Sequence, residues 1–152
     1  MRYVTAPKSP SEGSPFASLL ASGDDRAALI VHRGPTCFVI MNAHPYAPGH
    51  LMVLPNREVG ELSALSDAER AEVMELLVRC QSVLTATMGP AGFNVGLNVG
   101  RVAGAGLPGH LHFHVVPRWE GDHNFMPVIA DTRLLSQSLG ELWERLSAAF
   151  RT

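Results

Sequence analysis

The chain sorts its apolar residues into two kinds of pattern. From Ala28 to Leu54 they form short dense runs, whereas Val73, Leu77, Cys80 and Leu84 recur at i, i+4, i+7 and i+11, the rhythm of a helix. The runs 28–32 and 36–41, split by Arg33-Gly34-Pro35, predict an antiparallel pair with a hairpin-type link. After a loop holding Pro45 and Pro48, the run 50–54 predicts a third strand, stopped by Pro55. Ser66-Asp67-Ala68-Glu69 has the pattern of a capping box and opens the longest helix, which Gly89-Pro90 ends. Two further strands are predicted at 92–98 and 110–116, joined by a glycine-rich loop, and a last helix over 136–150 sets Leu139, Leu142, Leu146 and Phe150 on one face. A short helical turn is predicted at 16–20, ended by Ser22-Gly23-Asp24-Asp25. Strands are grouped and helices interspersed without βαβ alternation, so the fold class is α+β, with an antiparallel sheet of about five strands, a long central helix and a C-terminal helix.

Composition narrows the setting. With 152 residues, 46% of them hydrophobic, the chain can bury a core without staples. One domain over 16–152 is expected behind an irregular leader, 1–15, marked by Pro7, Pro10, Gly13 and Pro15. A formal net charge of -2 and only 17% charged residues argue against a nucleic-acid partner. Cys37 and Cys80 stand apart at no metal-ligand spacing and read as reduced core residues. No apolar run approaches the ~18 residues of a membrane span, and the start of the chain has no signal-type apolar region, which points to the cytoplasm and to no membrane partner.

The chemistry concentrates in His110-Leu111-His112-Phe113-His114. On a strand, His110, His112 and His114 would share one face and Leu111, Phe113 and Val115 the other. Three imidazoles on one face suit metal binding as well as catalysis, and the spacing alone leaves zinc open. Their company favours phosphate: Asn98-Val99-Gly100 and Gly104-Ala105-Gly106 lie just upstream, where missing side chains let backbone N–H groups approach anionic oxygens. An imidazole with one free nitrogen can attack phosphorus, and a second can donate to the departing oxygen. His112, flanked on both sides, is the natural nucleophile, with His110 and His114 as its supports. Among the other histidines, His32 and His44 are expected to be solvated on strand ends or loops, and His123 to be solvated on a loop. Glu58, Glu61, Asp67, Glu69 and Glu72 crowd the start of the long helix, where they favour its positive end.

His110-Leu111-His112-Phe113-His114-Val115-Val116 resembles the signature of the histidine triad (HIT) superfamily, and Asn42, Ala47-Pro48-Gly49-His50 and Asn98-Val99-Gly100 fall where that family has them. The segment 117–128, with Trp119, resembles the branch that cleaves dinucleoside polyphosphates, which includes diadenosine tetraphosphate phosphorylases. The resemblance implies a homodimer with joined sheets and a nucleotidyl-histidine intermediate on His112. It implies that His110 and His114 touch phosphate and leaving group while His50 supports the triad. It further implies a nucleotide site drawing on Asn42 for the ribose hydroxyls, Asn98, Gly104, Gly106 and Leu107 for phosphate, and Phe16 and Ile40 for the base. No cofactor is implied, although a divalent cation is expected to accompany a polyphosphate substrate. The resemblance leaves a purine nucleoside phosphoramidase and a catalytically silent nucleotide-binding module as alternatives. Two departures stand out. Relatives with a Cys-x-x-Cys bind zinc where this chain has Ser14-Pro15-Phe16-Ala17, so no structural zinc is expected. Many members also carry a glutamine just before the triad, and its absence leaves the acceptor, water or phosphate, open.

Overall fold

Among the described residues, five strands, β1 (Ile30–Arg33), β2 (Cys37–Met41), β3 (Leu51–Pro55), β4 (Gly92–Gly96) and β5 (Phe113–Arg118), form one antiparallel sheet in the order β1-β2-β3-β5-β4. The computed structural model describes residues 13–122 and 138–152. The leader up to residue 12 and residues 123–128 of the 117–128 segment, His123 among them, lie outside them. Helices α1 (Pro15–Ala21) and α2 (Asp25–Ala28) precede the sheet, α3 (Asp67–Met88) joins β3 to β4, and α4 (Leu139–Arg151) closes the chain.

The sheet is covered on both faces. That is why β2 and β3 read as unbroken apolar runs, every residue buried, instead of alternating. Cys37, Val39, Met41, Leu51, Val53 and Val115 turn toward α3 and α4, and Phe38, Ile40, Met52 and Leu54 turn toward α1. Both cysteines are free and buried, as expected, and burial pushes their thiols up to about 11 (Cys37) and about 12 (Cys80).

Helix α3 begins and ends where the sequence places its signals. The Ser66 hydroxyl accepts from the Glu69 backbone, the Glu69 carboxylate accepts from the Ser66 backbone, and Gly89 turns left-handed at φ 58°. Arg57 grips the same carboxylate at 2.7 Å and, with the capping bond, holds its pKa down to about 2. Two expectations change. The run 28–32 does not start as strand: Asp24 caps the short α2, and Leu29, left-handed at φ 61° without being glycine, redirects the chain into β1. His32 is half-buried, its ring 5.6 Å from that of Phe150 and near-parallel to it, because α4 lies along β1 and covers it. His44 is exposed.

Candidate active site

His114 lies in β5 between Met52 of β3 and Gly96 of β4, on the α1 face of the sheet. A Cβ at Gly96 would meet nothing within 4 Å, so the space over that neighbour of His114 is open. β5 starts only at Phe113, later than the predicted 110, because Leu111 bonds instead to the loop after β3, its N–H donating to Val59 O at 2.7 Å. The triad therefore straddles a strand end, and its three imidazoles are not equivalent.

Hydrogen bonds fix the proton on each ring. The Tyr46 backbone N–H donates to His50 Nδ1 at 3.1 Å, so neutral His50 carries its proton on Nε2, which lies 2.9 Å from His114 Nδ1. His114 must accept there, leaving its own proton on Nε2. Burial, then the neighbouring His112, lowers its pKa to about 4, so this donor stays neutral near pH 7. His112 is the converse: a carbonyl can only accept, so in the neutral ring the 2.8 Å contact between His112 Nδ1 and His110 O puts the proton on Nδ1 and the lone pair on Nε2. A bare nitrogen thus stands beside an N–H donor, with ring centroids 5.1 Å apart.

His110 is 1% exposed and both its nitrogens are engaged, Nε2 with Pro55 O at 2.8 Å and Nδ1 with Ser14 Oγ at 2.7 Å. With both nitrogens spent in the interior it presents no free nitrogen, so the three histidines expected to share one strand face are not three like groups. Three lone pairs aimed at a single ion are not on offer, and no cluster of three or more metal-ligating side chains occurs among the described residues.

The remaining candidates separate. Phe16 sits against the triad, its ring 5.8 Å from His110 and 5.7 Å from His112, whereas Ile40 is fully buried in the cluster beneath α1. His50 is buried. Asn42 donates its backbone N–H to His50 O, spends Oδ1 on the His44 backbone, and lines a hollow with His50, Pro45 and Leu139. In the loop before the triad, Gly100 and Gly104 adopt φ of 82° and 91°, and Asn98 Nδ2 reaches Gly104 O at 3.5 Å, a loose tie across the loop. The Gly106 and Leu107 amides donate to no other described residue, as an anion cradle requires. Trp119 is half-buried, its backbone N–H held by Asp122, whose carboxylate also clasps Arg118.

Three residues of this site escaped sequence reasoning. Tyr46, 47% exposed, lays its ring 4.7 Å from His50 and 5.9 Å from His114, covering their hydrogen bond. Ser14 reaches His110, and Glu58 accepts from the Ser14 backbone at 2.8 Å, away from the helix start assigned to it. Only Ser14 carried a signal, the Ser-Pro of a helix N-terminus.

Residues 25–121 match the family model described as the HIT domain. An AP-4-A phosphorylase of Mycobacterium tuberculosis is 44% identical over 131 residues, which cover 86% of this chain and 67% of that protein. An asymmetrical bis(5'-nucleosyl)-tetraphosphatase of Schizosaccharomyces pombe is 29% identical over 61% of this chain and 50% of its own. Among solved structures, a histidine triad nucleotide-binding protein of Sulfolobus tokodaii superposes with a TM-score of 0.72 at 20% identity, over 91% of this chain and 92% of that one.

Proposed function

The chain belongs to the HIT domain family, and from that premise we propose that it cleaves dinucleoside polyphosphates at the α-phosphate through a nucleotidyl-His112 intermediate. The observation that carries this reading is the 2.8 Å contact of His112 Nδ1 with the His110 carbonyl, which takes the Nδ1–H and, in the neutral ring, leaves the lone pair on Nε2. In the first step Nε2 attacks the α-phosphorus, an N–P bond forms, and the P–O bond to the departing nucleoside polyphosphate breaks. His114 Nε2–H and the Gly106 and Leu107 amides donate to the phosphate oxygens as charge builds on them. In the second step an oxygen of water or inorganic phosphate attacks the same phosphorus, and the N–P bond breaks to restore His112. Phe16 stacks on the base, Asn42 holds the ribose and Asn98 steadies the phosphate loop. No cofactor takes part, and a divalent cation accompanies the polyphosphate.

The Mycobacterium tuberculosis relative favours phosphate as the acceptor. Incubation with diadenosine tetraphosphate, with and without inorganic phosphate, tests this. ADP plus ATP formed only with phosphate means phosphorolysis, and AMP plus ATP means hydrolysis. Cleavage of an adenosine phosphoramidate with neither of these would replace the reading by phosphoramidase activity. The working unit we propose is a homodimer.

A further inference from the structure

Ser14 is buried at the foot of α1 and joins three parts of the site that the sequence keeps far apart. Its hydroxyl oxygen accepts from the Phe16 backbone N–H at 3.2 Å, capping α1. The hydroxyl proton has one taker: His110 carries its own proton on Nε2, held by Pro55 O, so Nδ1 can only accept from Ser14. The Ser14 backbone N–H, in turn, donates to Glu58 in the loop after β3. The His110 ring is thus pinned at both nitrogens, and its position sets that of its own carbonyl, the group that orients His112.

We propose that Ser14 is a positioning residue for the nucleophile, tying the aim of His112 to α1, the helix whose Phe16 packs against the triad. Without the Ser14 hydroxyl the His110 ring keeps one anchor, its carbonyl drifts, and His112 no longer holds its proton on Nδ1 alone. A nucleophile a fraction of an ångström or one tautomer away from productive geometry loses rate while substrate still binds. Helix α1 thereby joins the catalytic geometry as well as the pocket wall.

The inference rests on the reading of His112 as the nucleophile, and its test has one readout that needs no substrate. In the full chain, Ser14→Ala and Ser14→Thr are compared by steady-state kinetics on diadenosine tetraphosphate and by 15N NMR of the imidazoles. Ser14→Ala is expected to lower kcat about ten- to a hundredfold with KM within about twofold, and to turn His112 from a single Nδ1–H tautomer into a mixture. Ser14→Thr, which keeps the hydroxyl, restores both. A Ser14→Ala protein with wild-type kcat and a single His112 tautomer overturns the proposal, as does a threonine variant as impaired as alanine. Should Ser14→Ala not fold, Glu58→Ala loosens Ser14 from the exposed side and is expected to shift the tautomer in the same direction, while Glu58→Gln, which keeps an acceptor, does not. An unmoved tautomer in Glu58→Ala counts against Ser14. If the wild-type protein cleaves no dinucleotide, the functional reading fails, and the tautomer still decides the fate of Ser14.

Discussion

His112 and His114 are both imidazoles two residues apart, yet their surroundings give them opposite tautomers, and the proposed chemistry divides between them on that basis. His112→Ala removes the attacking nitrogen and leaves Phe16 and the phosphate loop in place. Turnover is expected to fall at least about a thousandfold, with nucleotide affinity, read by titration calorimetry, nearly unchanged. His114 owes its low pKa first to burial, and the Tyr46 ring is part of what buries it. Tyr46→Ala lets water reach the His50–His114 pair and is expected to raise the His114 pKa from about 4 toward 6.5, readable by NMR titration. Tyr46→Phe, which keeps the ring, leaves it low. The sequence singled out His112 only as the middle of the trio, and the opposite tautomers were not legible in it. What separates them is the proton each ring must place, and that depends on carbonyls and amides of Pro55, His110 and Tyr46 that no side-chain pattern displays.

At the scale of elements, legibility follows whether the signal is local. Ser66, Glu69 and Gly89 bound α3 through bonds within a few residues, and the sequence places both ends correctly. The β5 start depends on a bond between Leu111 and distant Val59, and α2 ends on a left-handed leucine, so neither showed. The turn that delivers His50 is a mixed case: the Pro48-Gly49 pair marks a turn, and the structure adds why glycine is needed. Gly49 sits at φ 81°, and a Cβ there would stand 2.7 Å from Met88 Sδ and 3.0 Å from Leu84 Cδ2 at the end of α3. Gly49→Ala is therefore expected to cost on the order of 1–3 kcal/mol in chemical denaturation and to lower kcat by disturbing the His50–His114 bond. Gly106 is the contrast. A Cβ there meets nothing within 4 Å and its φ is not positive, so Gly106→Gln should fold with unchanged stability. It supplies a glutamine before the triad, and the expected outcome is a larger share of AMP plus ATP among the products, read by chromatography.

Across the whole molecule, the same burial that keeps His110 and His114 neutral makes the fold sensitive to acid. Their pKa values lie below the unfolded value of 6.5, so below that pH the unfolded chain binds more protons than the folded one. Stability is complete above about pH 6.5 and is expected to drain as pH falls toward 4, seen as a falling urea midpoint. Quaternary structure is the other property at this scale. Along α3, Arg79 and Glu72 turn one flank toward α4 and the start of β2, bonding to Phe150 and Thr36. The other flank carries Met74 (60% exposed), Val78 (54%), Gln81 and Thr85, with no charge among them. It points to the side of the sheet that, among the described residues, ends in β4, which pairs there with β5 alone and turns exposed Val95 to the α3 face. In the proposed homodimer a second copy of the chain would cover this strand edge and the uncharged apolar flank beside it, edge to edge and helix to helix. A two-fold axis there would let the same residues serve both partners, so one substitution would strike the proposed interface twice. Met74→Lys together with Val78→Lys is expected to convert a dimer to a monomer in light scattering after size exclusion while leaving helix content unchanged. A wild-type chain that runs as a monomer at micromolar concentration would remove the dimer from this account.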